Sequence, residues 1–84
     1  MSEDPEERTR AYLIAMEKAF KLAERIDDRD ALRVVDYAKR YVADAKYFLE
    51  IGRPTTALAS IAYAEGLLDS LNILGLGNSR SVAR

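Results

Sequence analysis

Glu65 and Asp69 stand four residues apart, a spacing that puts both carboxylates on one face of a helix. Like charges so placed repel by a few tenths of a kcal/mol, so something should neutralise them. A divalent cation would do so, because hard cations select carboxylate oxygens. Asp36 or Asp44 on a neighbouring helix would then complete the ligand set. A lysine would serve as well. In an antiparallel hairpin turning near Gly52, Glu65 is level with Lys39 and Leu58 with Lys46. A Lys39–Glu65 ion pair is therefore the expected neutraliser, worth about 0–1 kcal/mol at a surface. A divalent-metal or phosphate-compound site centred on Asp44, Glu65 and Asp69 is the alternative.

Composition excludes most other chemistry. The chain contains no Cys and no His, which removes thiolate nucleophiles, disulfides, the usual neutral-pH general base and the usual zinc ligands. Ser60 has no evident base beside it, and no glycine-rich loop is present to cradle a phosphate. Helical nucleotide pyrophosphatases need paired Glu-x-x-Glu and Glu-x-x-Asp motifs, which a lone Glu-x-x-x-Asp does not supply. Tyr37, Tyr41, Tyr47 and Tyr63 do not line one helical face, and no basic stripe accompanies them. With 13 basic against 14 acidic residues, nothing marks a nucleic-acid or anionic-membrane surface. No apolar run reaches the roughly 18 residues of a membrane span, and the opening "MSEDPEERTR" is acidic rather than signal-like. The expectation is a cytoplasmic, non-catalytic protein without a cofactor.

The elements that position these residues are helices. A single domain over 1–84 is expected, punctuated after Pro5 only by Gly52, Pro54, Gly75 and Gly77. Asp4 caps a first helix over 5–26, with Pro5 at its first position and Glu7 placed for a capping box. Its apolar stripe runs Tyr12, Met16, Ala19, Ala23 and Ile26, widened by Leu13, Ala15, Phe20 and Leu22. A second helix over 28–51 carries an unbroken seven-residue repeat, Ala31, Val35, Ala38, Val42, Ala45 and Leu49. Its phase is slipped by one residue from the first stripe, which sets a break at "IDDRDA" with Asp27 or Asp28 as cap. One continuous helix is the alternative, since that break contains neither Gly nor Pro. Gly52 then ends the second helix in a left-handed conformation, and Pro54 starts a third over 54–74. Residues 75–84 are read as a mobile tail, with Arg80 and Arg84 solvated. The fold class is all-α, an up-down-up three-helix bundle with helices two and three forming an antiparallel hairpin.

The third helix has two faces. Ala57, Ser60, Ile61, Ala64, Leu67, Leu68, Leu71 and Leu74 form its core arc. Ala59, Ala62, Tyr63, Gly66, Ser70 and Ile73 gather on the far side, and the charges Glu65 and Asp69 occupy one strip between. In "AYAEGLLDS", Gly66 sits in mid-helix, where glycine costs about 1 kcal/mol relative to alanine. Small residues outside the core arc invite a second backbone to approach closely. The expectation is a homodimer whose interface is that far side, with a further protein partner open.

The segment "YVADAKYFLEIGRPTTALASIAYAEGLLDSL", residues 41–71, resembles the signature of the domain of unknown function 357 family of small archaeal proteins. The pattern falls on Tyr41, Asp44, Ala45, Phe48, Leu49, Gly52, Tyr63, Ala64, Gly66, Leu68 and Asp69. Arg53 and Pro54 depart from it, where members often carry an acidic residue after the turn glycine, and Ser70 replaces a common Ala. The resemblance implies a cytoplasmic helical protein of archaeal type and carries no known activity.

Overall fold

A computed structural model describes residues 3–77. Three helices follow one another, α1 (Pro5–Ala23), α2 (Arg29–Glu50) and α3 (Pro54–Ile73), with no strand among the described residues. The bundle is elongated, 42 × 24 × 17 Å. Helices α2 and α3 pack most closely, α1 lies mainly against α3, and α1 and α2 touch least.

Local chemistry explains each boundary. The Asp4 carboxylate accepts the Glu6 N–H at 2.9 Å, satisfying an amide that the first turn of α1 leaves unpaired. Asp28 does the same for the Ala31 N–H at 2.8 Å and fixes the start of α2. Gly52, at φ +75°, and Gly75, at φ +78°, end α2 and α3 in the left-handed region. Each closes the paired bonds of a Schellman turn. Arg53 N–H donates to the Phe48 carbonyl at 2.8 Å and Gly52 N–H to Leu49 at 3.1 Å. Leu76 and Gly75 repeat this on the carbonyls of Leu71 and Asn72, at 2.7 and 3.1 Å.

Two boundaries differ from the sequence expectation. The first helix stops at Ala23 rather than residue 26. Its chain tightens through i to i−3 bonds, the Glu24, Arg25 and Ile26 amides donating to Lys21, Leu22 and Ala23 at 3.0–3.2 Å. That device needs neither glycine nor proline, and it turns buried Ile26 back into the core. The break between α1 and α2 is real, so the continuous helix is excluded. Residues 75–77 are no loose tail either: Gly75 is buried and Leu76 packs on the cluster of Ala23, Ile26, Ala31, Val35 and Leu71. The remaining tail, 78–84 with Arg80 and Arg84, lies outside the described residues.

The seven-residue repeat of α2 forms one wall of the core, with Ala31, Val35, Ala38, Val42 and Ala45 buried. Ala57, Ile61, Ala64 and Leu71 of α3 face it. Four of these alanines, Ala38, Ala45, Ala57 and Ala64, are fully buried. Alanine on both sides lets the two backbones approach closely, so dispersion and helix propensity act together. Met16 of α1 plugs the third side. Thr9, also fully buried, is a core position that apolar periodicity missed. Its hydroxyl donates to the Pro5 carbonyl at 2.7 Å, so the polar atom is satisfied within its own helix. The signal was available in its seven-residue steps to Met16 and Ala23.

Candidate functional site

The hand of the bundle decides which carboxylates meet which cations. Lys39 faces α1, its ammonium 5.8 Å from the centroid of the Phe20 ring. α3 lies instead against the opposite edge of α2, where the Tyr41 and Tyr63 rings meet edge to face at 4.6 Å between centroids. Glu65 is on neither side of that contact. It shares a helical column with Asn72, which lines the groove between α1 and α3. The expected Lys39–Glu65 ion pair is therefore absent. Among the described residues the ion pairs are Arg10–Glu6 at 2.9 Å and Arg33–Asp30 at 3.6 Å, both within one helix and both exposed.

The same placement bears on the alternative site. Asp44 stands one turn from Tyr41 on the tyrosine edge, whereas Glu65 and Asp69 lie towards the α1 edge of α3. Among the described residues no three Asp, Glu, His or Cys side chains come together in a group able to hold a metal ion. Asp44 and Asp69 are exposed and Glu65 half-buried. Repulsion between two such carboxylates is screened by water and needs no further partner.

Tyr37 and Tyr47 are not part of the Tyr41–Tyr63 contact. Tyr37 is about half exposed, with the Arg40 guanidinium 5.3 Å from its ring centroid. Tyr47 is exposed and leans edge-on against Phe48. They form no continuous stacking platform for bases.

What remains is the outer face of α3. Ala59, Ala62, Tyr63, Gly66 and Ile73 are all exposed and Ser70 is half-buried, its hydroxyl donating to the Leu67 carbonyl at 2.6 Å. Ile73 is 82% exposed and Tyr63 54%. Leu74, expected in the core arc, is 68% exposed at the C-cap of α3. A β-carbon on Gly66 would meet no atom within 4 Å. The described residues thus give no steric reason for a glycine there, and its backbone is ordinary helix. On this face small side chains surround Gly66, between Tyr63, which meets Tyr41 edge to face, on one side and Asp69 on the other.

No helix among the described residues is long and apolar enough to cross a membrane. In comparisons with known proteins, the family described as protein of unknown function (DUF357) matches residues 8–77. No curated protein and no solved structure matches.

Proposed function

We propose that this chain, which belongs to the DUF357 family of proteins of unknown function, is a non-catalytic helical module that self-associates through the outer face of α3. The observation that carries this reading is Gly66: it lies mid-helix on an exposed face, and among the described residues no neighbour within 4 Å of a β-carbon there requires it. Glycine at such a position lowers helix stability by about 1 kcal/mol relative to alanine. A second α3 crossing there would offset that cost through close backbone contact. Ala59, Ala62 and Ser70 extend the small-residue track on either side, and Tyr63 and Ile73 supply large apolar area. A twofold pairing of one patch with its own copy is the commonest oligomer geometry. On this reading the protein works in the cytoplasm as a dimeric scaffold, away from nucleic acid and membranes.

Sedimentation velocity on the full chain tests the proposal. The wild-type protein is expected to sediment as a dimer at tens of micromolar, and Gly66→Leu as a monomer with undiminished helical circular dichroism. A wild-type chain that stays monomeric at those concentrations overturns it.

A further inference from the structure

The weakest contact in the bundle is the one between α1 and α2, and it leaves a groove on the side away from the outer face of α3. Leu13, Phe20 and Val42 form its floor, Glu17 its α1 rim, and Lys39 and Lys46 its α2 rim. The two lysines are seven residues apart, two helical turns or about 10.5 Å. Neither takes part in an ion pair among the described residues. Lys39 rests over the Phe20 ring instead, which keeps its charge beside the apolar floor. Arg10 and Glu50 line the end of the same groove. Arg10 is already held by Glu6 at 2.9 Å, and Glu50, one turn beyond Lys46, ends the basic stretch of the α2 rim.

From this arrangement we infer that the groove seats an amphipathic helix of another protein, its acidic edge along Lys39 and Lys46. Carboxylates seven residues apart on the incoming helix match the lysine spacing. An apolar stripe between its edges covers Leu13 and Phe20, and a basic or neutral edge faces Glu17. Between Glu17 and the two lysines the rims differ in sign, which fixes the direction and rotation of the docked helix there, while apolar contact supplies the affinity. The surface is separate from the outer face of α3, so it does not depend on self-association.

A pair of synthetic helical peptides tests this. Both carry leucines along one stripe; one has two glutamates seven residues apart on its edge, the other lysines there. At low salt the acidic peptide should bind the full chain about tenfold more tightly, an attraction-versus-repulsion difference across two surface charge pairs. Its addition should shift the amide resonances of Leu13, Phe20 and Ala43. The double variant Lys39→Glu, Lys46→Glu should invert the preference, and Gly66→Leu should leave it unchanged. No binding of the acidic peptide, equal binding of both, or a preference that survives the double charge reversal overturns the inference. So do shifts confined to α3, or groove shifts that grow with protein concentration when no peptide is present, since a second copy then fills the groove. Failure of α3 self-association is read by sedimentation and does not alter these outcomes.

Discussion

α2 and α3 are similar in length, 22 and 20 residues, and present similar inner faces, yet their outer faces have little in common. The outside of α2 exposes Arg33, Asp36, Lys39, Arg40, Asp44, Lys46 and Glu50. The outside of α3 exposes Ala59, Ala62, Gly66 and Ile73, with Asp69 at its edge. The contrast is sharper within α3 itself. Inside, Ala57 and Ala64 are small because α2 comes close to them, and both are fully buried. Outside, residues just as small meet open space. The same chemistry that draws two helices together in the core is present twice on α3 and used once within the chain. A solvated face gains nothing from avoiding charge, and the proposed self-association would put the unused copy to work.

The largest expected effect comes from breaking the used face. Ile61 is fully buried among residues of all three helices. Ile61→Ala should lower the unfolding free energy by about 2–5 kcal/mol through lost transfer energy and the cavity left behind. Urea denaturation checks this, the midpoint falling while the slope holds.

A paired substitution sharpens the inner–outer contrast. Ala64→Leu adds bulk at a fully buried position of the core cluster and should cost about 1–3 kcal/mol by overpacking. Ala62→Leu, two residues away on the exposed face, should leave monomer stability within about 0.5 kcal/mol. The two changes then trade places in sedimentation: Ala62→Leu should weaken dimerisation, whereas Ala64→Leu should leave the outer face intact. Equal destabilisation by both would mean that the two faces are not energetically distinct.

Much of this architecture is legible before any coordinates. The glycines ending α2 and α3 and an aspartate cap at Asp27 or Asp28, which the structure assigns to Asp28, rest on interactions within a few residues, and the heptad of α2 shows as a fixed spacing of apolar residues. The end of α1 was less legible, because i to i−3 bonding at Glu24–Ile26 has no residue signature. Thr9 escaped because a hydroxyl bonded to its own helix packs like an apolar group. The Lys39–Glu65 pair failed for a different reason. Levels along an antiparallel hairpin follow from counting, but which edge of α2 meets α3 depends on where α1 docks. That is a property of the whole bundle, and the Tyr41–Tyr63 contact settles it. Candidate carboxylates were likewise readable as a column on α3, but their separation from Asp44 was not.

The smallest expected effect is the most diagnostic, because Gly66→Ala should act with opposite sign on folding and on assembly. With no atom within 4 Å of the new β-carbon, the added methyl meets no steric cost within the chain. Alanine loses less backbone entropy on entering a helix, so the monomer should gain about 0.5–1 kcal/mol. Ala43→Gly, at an exposed interior position of α2, is the matching reversal and should lose a similar amount. If α3 crosses a second copy at Gly66, the methyl must separate the two backbones and weaken their dispersion contact. Unfolding measured at low protein concentration would then show a more stable variant. As concentration rises, the wild-type midpoint should climb and the variant's should climb less, because only dimer formation adds stability by mass action. Parallel concentration curves for the two proteins would show that Gly66 serves no contact between chains, and the difference between the two faces of α3 would lose its functional meaning.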